Sequence, residues 1–237
     1  MECVPAPIRT RPGGSVTSAM PESARRLFPD LVHWKRSSLE LMDISVDPAE
    51  AAHVERAGDK RRREFLGGRS MARQVLRDAG FPTNPILIGP QREPLWPSGI
   101  VGSLTHSEGH CAAAVALEEH IPALGIDLER RSGLDRKLWA RILTRKERET
   151  LARLPDDQQE AAALAHFSAK EALYKCLFPR ARVWFDFQDA ELALDREAQS
   201  LHVMGLAGDV ACALRGRQIV GRYLQSEADV LTAFWLV

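Results

Sequence analysis

Three observations predict an α+β fold and leave open whether it is one domain or two halves. Two long helical segments each precede a group of short strands. The 237 residues allow one large domain or two of roughly 100 residues each. Phe65-Leu-Gly-Gly-Arg69 on the first long helix is weakly echoed by Phe167-Ser-Ala-Lys170 on the second. That echo reads either as two related halves meeting near residue 118 or as chance.

The elements follow in order. Pro, Gly, Ser and Thr crowd the first 20 residues, which predicts a flexible tail. Residues 39–46 read as a first strand. The basic segment 60–79 reads as a helix ended by Pro82 and Pro85. Short strands are expected at 86–88, 101–105, 111–117 and 124–128, separated by turn residues. Thr144-Arg-Lys-Glu147 is a capping box. A longer helix follows Pro155 and runs to about residue 177, where Pro179 stops it. Strands are expected again at 189–194, 201–205, 218–223 and 230–237.

Composition narrows the class. Hydrophobic content of 45% supports a sizeable core and excludes wholesale disorder. The 32 basic residues equal the 32 acidic ones, which argues against a nucleic-acid coat. Cys3, Cys111, Cys176 and Cys212 form no CxxC pair, so a reducing cytoplasm fits best. No apolar run reaches the length of a membrane span, and the N-terminus has no signal-peptide core.

Gly125-Ile-Asp127-Leu-Glu129 is the most informative stretch. On a strand, Asp127 and Glu129 share one face about 7 Å apart, while Ile126 and Leu128 face the core. Such carboxylates repel unless solvated, protonated or bridged by a cation; the plain alternative is the wet face of an edge strand. On the second long helix, Glu171 and Lys175 extend the apolar stripe of Leu164 and Phe167. A third carboxylate at the core's edge makes an oxygen-rich site that suits Mg²⁺.

On the first long helix, Arg62, Arg69 and Arg73 lie within about 40° of one face. They form either a solvated basic face or a clamp for phosphate oxygens. His106 follows small and hydroxyl residues at a strand end, where anions can bind. The spacing of His106, His110 and Cys111 matches no common zinc set. Neither a G-x-x-x-x-G-K-[ST] loop nor a G-x-G-x-x-G fingerprint occurs.

Five segments together resemble the 4′-phosphopantetheinyl transferases, most closely those serving siderophore, non-ribosomal peptide and polyketide synthetases. They are Arg62-Arg-Glu-Phe-Leu-Gly-Gly-Arg69-Ser-Met-Ala-Arg73, Arg92-Glu-Pro-Leu-Trp-Pro97, Val101-Gly-Ser-Leu-Thr-His106, Gly125-Ile-Asp-Leu-Glu129 and Phe167-Ser-Ala-Lys-Glu-Ala-Leu-Tyr-Lys175. They stand in the family's order and spacing. The resemblance implies two similar, pseudo-two-fold-related α+β subdomains, 21–118 and 119–237, behind the tail 1–20, with the active site at their interface and coenzyme A bound there. It assigns Mg²⁺ to Asp127, Glu129 and Glu171, and the 3′-phosphate of coenzyme A to Thr105 and His106. It points to Arg61 and Arg69 as phosphate contacts, where the helical wheel favours Arg62 and Arg73 beside Arg69. Lys170 and Lys175 would reach the pyrophosphate. The chain departs from the family at Arg92-Glu-Pro94, where many members carry Gly-Lys-Pro, and the resemblance would give Arg92 that basic role.

The implied reaction moves the phosphopantetheine arm to a serine of a carrier protein and releases adenosine 3′,5′-bisphosphate. Glu171 is the candidate base, and Lys175 would stabilise the leaving group. Residues 130–148 carry eight Lys/Arg against two Asp/Glu, a docking surface for an acidic carrier or simply a solvated face. A monomer is implied, because both half-sites lie in one chain. Two rival readings are a metal-dependent nuclease and a module that binds coenzyme A or a carrier without transfer. The helical spacing of Glu171 and Lys175 disfavours the first, and the full carboxylate set disfavours the second.

Overall fold

The computed structural model of the chain describes residues 27–131, 134–214 and 216–237. The expected tail at 1–20 and Cys3 lie outside them. The first half contains β1 (His33–Ser38), α1 (Pro48–Ala51), α2 (Asp59–Asp78), β2 (Ile100–Ser107) and β3 (His110–Leu117). The second contains β4 (Leu124–Arg130), α3 (Trp139–Ile142), α4 (Arg145–Leu151), α5 (Asp156–Ala181), β5 (Ala190–Asp195), β6 (Ser200–Leu206), α6 (Gly208–Ala213), β7 (Ile219–Gln225) and β8 (Asp229–Leu236). The strands form two antiparallel sheets, in the orders β1-β3-β2 and β4-β8-β7-β6-β5. This is an α+β fold.

Local chemistry explains most boundaries. Glu108 and Gly109 both adopt positive φ (43° and 76°), which closes the β2–β3 hairpin in two residues. Helix α2 buries Met71, Ala72, Val75 and Leu76 against Cys111, Ala113 and Val115 of β3. It ends where Gly80 takes φ 73°, before either expected proline is reached. Thr144 caps α4 with the reciprocal Glu147 bond that the sequence predicts.

Several expectations are corrected. The first strand is His33–Ser38, not 39–46. Its ladder with β3 ends at Ser38 opposite His110; the chain then turns, and Leu39 is spent covering Gly67 of α2. Only an isolated bridge between Ile88 and Pro94 stands for the strand at 86–88. Pro179 lies inside α5, which runs on to a left-handed Arg182 (φ 53°). The buried Phe178, stacked on Tyr174 at 4.9 Å, holds that last turn together. Helix α6 has no counterpart among the sequence expectations.

The halves meet through two kinds of contact. Ala112, Ala114 and Ala116 of β3 present a shallow face to Ile126 and Leu128 of β4 and to Leu231, Ala233 and Trp235 of β8. Beside this apolar layer, β2 runs along the free edge of β4. Helix α5 covers the other side of β4 so closely that a Cβ at Gly125 would collide with Ala172 O and Cys176 N. No helix among the described residues is long and apolar enough to cross a membrane.

Candidate active site

Strand β4 carries the acidic group. Ile126 and Leu128 are buried in the layer between the halves, and Asp127 (3% exposed) and Glu129 lie on the opposite face. Gly125 lets α5 approach, which brings Glu171 and Lys175 to that face. Lys175 Nζ donates to Asp127 Oδ1 at 2.6 Å. Asp127 Oδ2 is buried without a hydrogen-bond partner among the described residues. Burial, then the charge of Asp127, pushes Glu129 up to about 7. The same two causes raise Glu171, against the pull of Lys175. Among the described residues, no three His, Cys, Asp or Glu side chains already stand together as a metal cage. The donor set itself fits a hard cation: oxygen only, carboxylates that destabilise one another's charge, and one buried oxygen unpartnered.

The basic group comes from α2 and β2. Arg61 Nη1 stands 3.4 Å from His106 Nε2, and Glu64 Oε2 stands 3.7 Å from His106 Nδ1. Burial lowers the His106 pKa, with Glu64 opposing and Arg61, Lys175 and Asp127 all acting on it. The imidazole thus lies between the two charged groups. Arg69 is only 4% exposed, its guanidinium lies 4.7 Å over the Phe65 ring, and its Nε has no partner among the described residues. Burial is the main reason its pKa falls to about 10, so it still carries its charge at neutral pH. A buried cation with an unused donor is suited to an anion.

Three sequence assignments change. Arg73 is no phosphate clamp: it is buried and paired with Glu50, with a second bond to Ser45 O at 2.7 Å. Lys170 does not reach toward a pyrophosphate. Its ammonium is enclosed by Glu147 Oε2 (2.7 Å), Ile142 O (2.8 Å) and Phe187 O (2.8 Å), so all three protons are spent. The Thr105 hydroxyl donates to Asp127 Oδ1 (3.1 Å) and accepts from Leu128 N (3.2 Å). Its only proton is therefore committed away from any phosphate. Arg62 is exposed, and so is Arg92, on a turn where its φ is 69°.

The sequence reading missed a cavity of about 240 Å³ beside Glu171, lined by Tyr174, Trp184, Phe185 and Phe187 among others. Tyr174 lies one turn past the acidic position on α5, a spacing signal that could have pointed to it. The exposed Trp184, 69% accessible at the rim, carried no such signal.

A buried arginine, an imidazole, and a lysine-bound carboxylate group beside an aromatic cavity are the equipment of an enzyme that acts on a phosphate ester. The pattern of the 4′-phosphopantetheinyl transferase N-terminal domain matches residues 49–116, and that of the 4′-phosphopantetheinyl transferase superfamily matches residues 123–223. The 4′-phosphopantetheinyl transferase Svp of Streptomyces mobaraensis is 39% identical over 191 residues, 78% of this chain and 76% of that protein. PptT of Mycobacterium tuberculosis, also a 4′-phosphopantetheinyl transferase, is 34% identical over 230 residues, 92% and 99% of the two chains. Enterobactin synthase component D of Escherichia coli K12 is 39% identical over 126 residues, 52% of this chain and 58% of that one. The chain belongs to the 4′-phosphopantetheinyl transferase family. Its activity is transfer of 4′-phosphopantetheine from coenzyme A to a carrier protein.

Proposed function

We propose that the chain binds coenzyme A between its subdomains 21–118 and 119–237 and modifies carrier domains of secondary-metabolite or siderophore synthetases. The observation that carries this reading is the adjoining of two half-sites: Arg61, Arg69 and His106 from the first half, and Asp127, Glu129, Glu171 and Lys175 from the second. Arg61, Arg69 and His106 bind the phosphates of coenzyme A, and Arg92 adds a cation from its turn. Asp127, Glu129 and Glu171 hold Mg²⁺, which supplies charge neutralisation at the pyrophosphate when bound.

In the reaction, the carrier serine Oγ bonds to the β-phosphorus, and the bond from that phosphorus to the bridging oxygen breaks. That oxygen leaves with adenosine 3′,5′-bisphosphate. Glu171 accepts the serine proton, directly or through a water. Lys175 leaves Asp127 for the departing phosphate, a short step for a side chain still 29% exposed. The phosphopantetheine arm lies in the aromatic cavity beside Glu171.

The carrier docks on the basic surface of residues 130–148. Pairing trims its field: Arg136, Arg145 and Lys146 bond Glu160, Glu149 and Glu191, while Arg131, Lys137, Arg141 and Arg148 are exposed with no ion pair among the described residues. The protein works as a cytoplasmic monomer. Mass spectrometry of an apo carrier incubated with coenzyme A, Mg²⁺ and this protein tests the reading. One added phosphopantetheine mass is expected, and Glu171→Ala should abolish it while the far-UV spectrum stays native. Transfer by Glu171→Ala at near wild-type rate removes Glu171 from the mechanism. An unmodified carrier with wild-type protein overturns the reading.

A further inference from the structure

Strand β4 is the edge of the five-stranded sheet, and an edge strand carries unpaired N–H groups. Among the described residues, no backbone ladder covers them. Three hydroxyls of β2 do so instead, at alternate positions. Ile126 N donates to Ser103 Oγ (3.0 Å), Leu128 N to Thr105 Oγ1 (3.2 Å) and Arg130 N to Ser107 Oγ (3.4 Å). The period of two matches strand to strand, so one face of β2 is a ladder of side-chain acceptors.

Each hydroxyl keeps a proton to give. Thr105 gives its proton to Asp127 Oδ1 (3.1 Å), and Ser107 gives its to Glu129 Oε2 (3.0 Å). The two carboxylates are therefore gripped from across the boundary between the halves, by groups that the neighbouring β4 backbone itself orients. Lys175 takes the same oxygen of Asp127, and Oδ2 is left unpartnered. The donors thus decide which oxygen stays open.

We propose that Thr105 and Ser107 are positioning residues of the transfer site: their hydroxyls fix Asp127 and Glu129 across the seam and thereby set the affinity for the divalent cation. This rests on the metal reading above. A deleted donor to a ligating carboxylate commonly costs 10–100-fold in metal affinity.

The test uses the full chain with coenzyme A present and Mn²⁺ titrated by electron paramagnetic resonance. Thr105→Val should weaken Mn²⁺ binding about tenfold or more, and Thr105→Ser should restore it. Ser107→Ala, at a partly exposed site that tolerates truncation, should weaken it less, and it carries the test should Thr105→Val fail to fold. The preference for coenzyme A over dephospho-coenzyme A should stay unchanged in Thr105→Val, because the hydroxyl does not serve the 3′-phosphate. Wild-type Mn²⁺ affinity in the folded variants overturns the proposal, as does a narrowed preference for the 3′-phosphate. A wild-type protein that binds no Mn²⁺ overturns the metal reading and this inference together, whereas equal binding by wild type and variants overturns this inference alone.

Discussion

Glu50 and Glu147 hold the same post in the two halves of the chain. Each is the third residue of a short helix, capped by Asp47 in one case and Thr144 in the other. Each is buried, at 0% and 3% exposure. Each pairs with a cation 23 residues further on along the following long helix, Arg73 on α2 and Lys170 on α5. Each also accepts a backbone N–H from the chain beyond that helix, Ile86 at 2.8 Å and Leu192 at 2.7 Å. One constant step along the sequence takes Asp47 to Thr144, Glu50 to Glu147, Arg69 to His166 and Arg73 to Lys170. The Phe65 and Phe167 echo is out of register with this step. The difference between the halves lies in what surrounds the shared pair. On α2 the unspent charges, Arg61 and Arg69, precede the buried cation, and on α5 Glu171 and Lys175 follow it. The frame repeats, while the groups facing the ligand do not: one half offers cations, and the other offers carboxylates with one lysine bound among them.

The parallel is broken most directly at the buried pairs. Arg73→Met and Lys170→Met each strand a buried carboxylate, so each should cost about 3–5 kcal/mol in urea denaturation. Lys170→Met should lose activity in proportion to its unfolded fraction. A Lys170→Met protein within about 1 kcal/mol of wild type that no longer binds coenzyme A would make Lys170 a ligand of the substrate and end the comparison.

Much of this arrangement was legible along the chain. The alternation in Ile126-Asp127-Leu128-Glu129 separates core from site because a strand repeats every two residues. The Thr144 and Glu147 cap is local, and local rules predict it. The fates of Arg73 and Lys170 were not legible, because a helical wheel says which face a cation occupies but not that a carboxylate from another helix waits there. The direction of the Thr105 hydroxyl is hidden for a related reason. Next to His106 it looks like an anion ligand, and only the tertiary approach of β4 turns its proton toward Asp127. Leu39 reads as a strand residue because burial on a strand and burial against Gly67 of a helix leave the same apolar mark.

Arg69 sharpens the contrast in charge. Arg69→Met should weaken coenzyme A binding by about 1.5–3 kcal/mol, the worth of a charge-assisted hydrogen bond. Arg62→Met, at an exposed position, should stay within about 0.5 kcal/mol. Calorimetric titration of both variants decides; equal losses would mean a diffuse basic face and not a specific donor.

The two glycines that let helices close on their neighbours predict a smaller difference. Gly125→Ala drives a methyl into the backbone of α5, which cannot move without shifting Glu171, so about 1–3 kcal/mol of stability should go, and transfer with it. Gly67→Ala meets only the end of the Leu39 side chain, and its helix propensity improves by about 1 kcal/mol, so the net change should be near zero. Equal thermal shifts for both would show that β4 and α5 are not in fixed contact.

His166 gives the finest test, because it stands one constant step from Arg69 and shares its burial, at 5% against 4%. Arg69 keeps its charge in the core, whereas burial lowers the pKa of His166 despite the opposing pull of Glu147. The folded protein then binds fewer protons than the unfolded chain once pH falls below the ordinary histidine value of about 6.5. Stability contributed by neutral His166 is full above that value. It declines as pH drops toward the lowered folded pKa, by at most about 1.4 kcal/mol per pH unit. His166→Gln removes this titration, so its urea midpoint should change less than that of wild type between pH 7.5 and 5.5. Parallel midpoints would mean that His166 takes up its proton in the core as readily as in the unfolded chain, and that its burial does not hold it neutral.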